Sequence, residues 1–138
     1  MMSMVTAIAT RADRQAEFAY HLLRAALERF QLSVPELTED QHGAAERIAN
    51  RTFALESLAL ASPEAAGIVV AEAEIAGALA EIQSRYGDHA AFIEDLEKNG
   101  LDESVLRSAL ARELVFNAVM ERVSSRVPAV SDLSLIHI

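Results

Sequence analysis

Apolar residues recur every three or four positions along most of this chain, and few residues interrupt the pattern. Ala is the commonest residue, whereas the 138 residues include only three prolines and five glycines. An α-helix places apolar residues on one face when they repeat with a period of about 3.6 residues. The pattern therefore predicts an all-α fold of about five helices in an irregular bundle.

Local signals place the ends of these helices. Thr38 with Gln41 has the spacing of a capping box at a helix start, and Asp88 is an N-cap residue before a shorter helix. Pro35 closes the first helix, and Gly100 is typical of a left-handed C-cap. The predicted helices cover about residues 14–31, 38–61, 72–86, 88–99 and 102–126. In the second helix the apolar stripe continues through Leu55 and Leu58 to its end, so both are expected in the core.

The two ends of the chain differ from the helical part. We expect residues 1–13 to be a disordered start and residues 14–132 to form one helical, chaperone-like domain. Residues 133–138 lack the Ala, Arg and Glu bias of the preceding helices, and they match one reading frame of a transposon end used in sequencing libraries. We interpret these six residues as a sequencing or cloning scar.

Charge and composition exclude several function classes. The chain has 12 basic and 21 acidic residues, which gives a net charge of −9 and disfavours nucleic acid and anionic membranes as partners. It has no cysteine, and hence neither disulfides nor thiolate metal sites. The longest uncharged apolar stretch is far shorter than the roughly 20 residues that cross a bilayer. The sequence therefore predicts a soluble, cytoplasmic protein.

Few residues are arranged for catalysis or metal binding. The segment Glu39–His42 has the Glu-x-x-His spacing of di-iron helix bundles, but those bundles need two copies and this chain has one. Glu17, His21, Arg24 and Glu28 are spaced as a surface ion ladder along one helix. We therefore expect no catalytic residue, no metal site and no cofactor.

The apolar residues exceed what a minimal bundle needs, so part of them could contact a partner. The alternative is that all of them are core. A β-branched run at residues 68–70 is predicted to be a buried connector, and the fifth helix carries a row of leucines. The candidate client-binding residues are Ile68, Val69, Val70, Leu106, Leu110 and Leu114.

Short sequence segments in a fixed order point to a family. They are Glu36–Gln41, Ala45–Ile48, Ser62–Ala65, Ser84–Tyr86, Leu110–Leu114 and Val127–Asp132. With them, residues 18–132 resemble the N-terminal helical region that precedes the catalytic domain in parvulin-type peptidyl-prolyl isomerases of the SurA kind. The resemblance is greatest to the NifM branch of that family, which serves nitrogen fixation.

The resemblance implies a SurA-like chaperone region that holds a client, the nitrogenase iron protein, without a cofactor and with possible self-association. The His-Ile-Leu segment and the Gly-Gly-x-Leu-Gly loop of the family's catalytic domain do not occur in this sequence. The chain is therefore expected to end before that domain and to be inactive as an isomerase. Two alternatives remain open, a metal-binding helical-bundle enzyme and a dimerising structural adaptor.

Overall fold

Five α-helices make up most of the structure, which is a computed structural model. It describes the backbone of residues 4–125 and the side chains of residues 14–125. Over this range no strand forms, and the α-helices are α1 (Met4–Phe30), α2 (Glu39–Leu60), α3 (Glu72–Gln83), α4 (His89–Lys98) and α5 (Glu103–Ser125). Single turns of 3-10 helix at Val34–Glu36 and Pro63–Ala65 flank α2. The predicted all-α fold is confirmed.

Side-chain caps begin three of the helices. The Thr38 hydroxyl accepts from the Gln41 backbone N–H at 3.2 Å, and the Gln41 side-chain oxygen accepts from the Thr38 backbone N–H at 3.0 Å. Asp88 and Asp102 accept hydrogen bonds from backbone N–H groups in the first turns of α4 and α5. These bonds satisfy N–H groups that have no partner within the helix. The starts of α2, α4 and α5 are therefore those predicted.

The start of α1 differs from the prediction. We expected a disordered segment over residues 1–13 and a helix from about Arg14, but the helix begins at Met4. Residues 4–13 contain neither Gly nor Pro, so no residue in this segment interrupts helical hydrogen bonding. The predicted scar at residues 133–138 lies outside the described residues.

The end of α1 lies where it was predicted, but another residue causes it. Gln31 has a left-handed backbone, with φ 57°. Its side-chain amide donates to the Glu28 carbonyl oxygen at 3.2 Å, which satisfies one of the free carbonyls of the last turn. Pro35 comes four residues later, as the second residue of the next turn of 3-10 helix.

An apolar core joins four of the helices. α1, α3, α4 and α5 contribute to it, together with the loop before α5, and Phe92 is fully buried there. The core residues are Tyr20, Leu23, Leu79, Phe92, Leu96, Leu101, Leu106, Ala109 and Leu110. α2 lies on the other side of α1, where Ala26, Ala45 and Ala49 are completely buried. The bundle thus has one half with an apolar core and a second half in which α2 packs on α1 and α5.

Two glycines give opposite expectations for the same substitution. Gly100 has φ +76°, so Gly100→Ala strains the backbone and should destabilise the fold by about 1 kcal/mol. Gly77 lies within α3 with open space around its Cβ position, so Gly77→Ala should stabilise the fold by about 0.5–1 kcal/mol. Urea unfolding followed by circular dichroism measures both. The same sign for the two variants would contradict these helix boundaries.

Candidate functional site

A buried polar cluster joins α1, α2 and α5. His21 and Glu56 are only 8% and 5% exposed. Nε2 of His21 lies 3.2 Å from Oε1 of Glu56, although the angle is not that of a hydrogen bond. Nδ1 of His21 lies 2.9 Å from the Thr52 hydroxyl, and Arg112 donates from Nε to Oε1 of Glu56 at 3.0 Å. One carboxylate on α2 therefore contacts both of its neighbouring helices.

The environment of Glu56 favours its charged form. Burial alone would raise the pKa of this carboxyl, but the contacts with His21 and Arg112 outweigh burial and lower the pKa below its ordinary value. Arg112 also lies 3.6 Å from Glu17 on α1. The result is a buried anion with two basic neighbours rather than a proton-donating acid.

A second set of contacts continues the cluster towards the surface. The Tyr20 hydroxyl donates to Oε2 of Glu113 at 2.7 Å, and Arg24 lies 3.0 Å from Oε1 of the same carboxylate. Burial, followed by the hydrogen bond to Glu113, raises the pKa of Tyr20, so this phenol stays protonated. Arg24 also pairs with Glu28 at 3.2 Å. The cluster therefore extends from the interior to an exposed rim.

The predicted surface ladder on α1 is wrong at His21. Arg24 and Glu28 do pair, but His21 points inward and contacts Thr52 and Glu56 of α2. The spacing contained a signal for this, since His21 comes three residues after Phe18 and four before Ala25, on the apolar face. No local pattern identified Glu56 as a contact of His21, or Arg112 as the second basic contact of Glu56.

The other candidate chemical motifs are not assembled into sites. His42 pairs with Glu46 at 2.7 Å on an exposed face of α2, and not with Glu39. Within the described part of the chain, no three His, Asp or Glu side chains are placed to hold a metal ion. The di-iron alternative therefore has no support from the described residues.

The predicted buried connector lies on the surface. Arg122 of α5 donates to the carbonyl oxygens of Glu64 and Ala66 at 3.0 and 3.2 Å, and these bonds hold the chain against the outside of α5. As a result Val69 is 88% exposed, and Ile68 and Val70 are half-buried.

This part of the protein forms a shallow cavity of about 540 Å³, which we call the connector surface. It is lined by Gly67, Ile68 and Val69 of the connector and by Ala118, Glu121, Arg122 and Ser125 of α5. Its most exposed apolar group is Val69, which can contact a partner without any change in the fold.

The candidate leucines on α5 do not join this surface. Leu106 and Leu110 are buried in the apolar core, and Leu114 is half-buried. Core side chains offer no area to a client, so the hypothesis fails for Leu106 and Leu110. Two leucines of α2 that were expected in the core are exposed instead: Leu58 is 71% exposed and Leu55 is 50% exposed.

A second cavity of about 210 Å³ lies between α1, α2 and α5. Its walls are apolar residues of all three helices: Ala25, Ile48, Leu55 and Phe116. Charged and polar residues of the cluster complete the lining: Tyr20, His21, Arg24, Glu28, Thr52, Glu56, Glu113 and Asn117. We call this the three-helix cavity.

Comparison with known proteins identifies the family. Residues 3–121 match the family model described as the C-terminus of bacterial trigger factor protein. The chain belongs to this family. The match includes α1 and most of α5, and therefore both candidate surfaces.

Two curated relatives refine this result. The chain is 39% identical over 113 residues to a protein named as the peptidyl-prolyl cis-trans isomerase NifM in Azotobacter vinelandii, and 37% identical over 113 residues to its counterpart in Azotobacter chroococcum mcd 1. Each alignment covers 82% of this chain but only 39% of the relative. The resemblance to NifM is confirmed, and the chain spans about two-fifths of the length of these relatives.

No solved structure matches this chain significantly. No helix in the described range is long and apolar enough to cross a membrane.

The cluster makes stability depend on pH through Glu56. Folding lowers the pKa of this carboxyl from its ordinary value of 4.5, so its contribution is present above that value and is lost as pH falls through the folded-state pKa. We expect Glu56→Gln to cost about 1–3 kcal/mol at pH 7 and to flatten the loss of stability between pH 5 and pH 3. Urea unfolding at several pH values measures this.

The matched control is Glu94→Gln, which removes an exposed carboxylate that pairs with Lys98 on α4. It should leave both the stability at pH 7 and the acid dependence nearly unchanged. Equal acid profiles for wild type and Glu56→Gln would contradict the role given to Glu56.

Proposed function

We propose that this chain is the client-holding region of a NifM-like peptidyl-prolyl isomerase, and that its client is the nitrogenase iron protein. The observation that carries the proposal is the connector surface with its exposed Val69, on a member of the trigger factor C-terminus family. The match to two NifM proteins supports a role in assisting protein folding.

Prolyl isomerisation explains why a holding region is useful. Rotation about an X-Pro bond takes tens of seconds without a catalyst and can limit folding. A region that binds the unfolded client raises the effective concentration of its prolines at a linked catalytic site. Holding needs exposed apolar area and no reactive group, which agrees with Val69 and with the unreactive polar cluster.

The geometry favours a client that is at least partly unfolded. The connector surface is shallow and open, and its apolar groups are single side chains rather than a deep pocket. Single exposed side chains give weak contacts. A folded protein has buried most of its apolar groups and has few left to place against this surface, whereas an unfolded chain has many. A client would be released as it buries its apolar residues.

An aggregation assay tests this function. The 138-residue chain in molar excess should slow the light scattering of denatured nitrogenase iron protein on dilution into buffer. Val69→Asp should remove at least about half of this protection, because it places a charge on the apolar area that contacts the client. The fold should be unaffected, since Val69 is 88% exposed.

Leu27→Asp is the control, since Leu27 is an exposed apolar residue on α1, outside the connector surface. It should protect as well as the wild type does. Equal loss of protection in both variants would show that the added negative charge, and not the connector surface, causes the loss. No protection by the wild type would refute the holding function.

Catalysis is tested separately. We expect the 138-residue chain not to accelerate isomerisation of a proline-containing test peptide, because it lacks the family's catalytic segments. Robust turnover by the purified chain would contradict this assignment.

A dimerising adaptor is the second candidate, because Leu55 and Leu58 expose apolar area on one helix. Multi-angle light scattering distinguishes it from the first. A stable dimer that Leu58→Asp dissociates, without protection of any client, would favour the adaptor.

A further inference from the structure

The outer face of α2 combines apolar side chains with two arginines. We propose that this face binds an amphipathic helix of a partner protein, and that carboxylates of the partner helix pair with Arg47 and Arg51. We call the face the α2 strip, and its residues are Ala44, Arg47, Ile48, Arg51, Leu55 and Leu58. The α2 strip shares no residue with the connector surface, so its partner is defined independently of the unfolded client.

The α2 strip lies open to solvent over both of its halves. Helical geometry places its six residues within an arc of about 100°, beside the buried arc that contains Ala45, Ala49 and Glu56. On its first half lies a shallow cavity of about 500 Å³, which is lined by residues of α2 alone: Ala44, Arg47, Ile48, Asn50 and Arg51. On its second half Leu55 is 50% exposed and Leu58 is 71% exposed. Within the described residues, accessible apolar area therefore follows α2 for about four turns.

The spacing of the α2 strip is that of a helix that packs on another helix. Five of its residues are separated alternately by four and three positions, as in the apolar seam of a coiled coil. They are Ala44, Ile48, Arg51, Leu55 and Leu58. A single polar residue in such a seam, here Arg51, fixes the register of the two helices. The pattern therefore favours a helical partner over an extended segment.

The two arginines of the strip have no partner in the described part of the chain. Arg47 and Arg51 are exposed and lie one helical turn apart, a spacing at which like charges slightly destabilise a helix. Neither guanidinium makes an ion pair or a hydrogen bond with a described residue, although the chain has 21 acidic residues. Glu46, which precedes Arg47, pairs with His42 instead. Carboxylates one turn apart on a facing helix would neutralise both arginines.

A second copy of the chain fits the α2 strip less well than an acidic helix does. The strip contains no carboxylate. Two facing strips would therefore bring the guanidinium groups of Arg47 and Arg51 from both copies into one interface without a counter-charge. Like charges that face each other across an interface oppose association. An acidic amphipathic helix covers the same leucines and supplies the missing charge.

Two synthetic peptides test the proposal on the 138-residue chain. Each is about 18 residues long, enough to form a helix, and carries leucines at coiled-coil spacing. Beside the leucines one peptide has glutamates and the other has glutamines. Fluorescence anisotropy measures the affinities, and NMR chemical shifts of the isotope-labelled chain locate the site.

We expect the glutamate peptide to bind about fivefold more tightly at low salt, and this preference to shrink as salt is added. The net charge of −9 repels the glutamate peptide, so the preference requires a local cationic surface. Equal affinities, no binding, or shift changes confined to residues outside α2 would overturn the proposal. A dimer of the chain that Leu58→Asp dissociates would show that a second copy covers the strip, and would overturn it too.

Variants separate the charges from the apolar area. Arg47→Gln combined with Arg51→Gln should remove the preference for the glutamate peptide. The double variant relieves a repulsion and removes no described contact, so its midpoint of thermal unfolding should equal or exceed that of the wild type. A clearly lower midpoint would assign the arginines to the fold and contradict the proposal. Leu58→Ala should weaken both peptides by a similar factor of about three.

Arg85→Gln is the control for the loss of one positive charge. Arg85 is exposed, follows the end of α3, and makes no ion pair with a described residue. This variant should keep the wild-type preference, whereas Arg51→Gln should lower it about threefold. An equal loss in the two variants would show that net charge, and not the α2 strip, determines the preference, and would overturn the site.

Discussion

The burial of one carboxylate constrains how three helices of this protein can pack. Glu56 is 5% exposed, and an ion removed from water is tolerated only when other polar groups replace its hydration. The polar groups that replace water around Glu56 are the side chains of His21 on α1 and Arg112 on α5. α2 therefore cannot rotate or slide against its two neighbours without leaving a charge unpaired. The apolar contacts of small alanines between α1 and α2 do not impose such directionality, since alanines pack similarly in several registers.

A fixed polar centre permits exposed apolar residues elsewhere. A bundle held only by its apolar faces would lower its free energy by rotating Leu55 or Leu58 inward. Here the position of α2 is determined by Glu56, which neighbours Leu55 in the sequence, and the leucines remain in contact with solvent. The same reasoning applies at the connector, where Arg122 holds two backbone carbonyls and Val69 stays outside. In both places a polar interaction maintains an apolar group at the surface, which is what a surface that binds other chains requires.

The sequence predicted what depends on local chemistry. The start of α2 follows from the Thr38 and Gln41 side chains three residues apart, and the left-handed turn after α4 follows from Gly100. The polar cluster depends on residues far apart, since Tyr20 and Glu113 are separated by 93 positions and Glu56 and Arg112 by 56. Helical periodicity gives the face on which a residue lies, but it does not say which other helix covers that face. For this reason the spacing left open whether Leu106 is core or surface, and it did not predict that Leu58 is exposed.

The connector surface limits what this protein can discriminate. Its exposed apolar group is Val69, and the polar side chains around it belong to α5: Glu121, Arg122 and Ser125. Arg122 already donates to two backbone carbonyls beside the connector, so it fixes the position of the connector. A surface with one exposed apolar side chain and no deep pocket suits many unfolded sequences and discriminates poorly among them. The affinity shared by these sequences would come from their contacts with the exposed apolar residues.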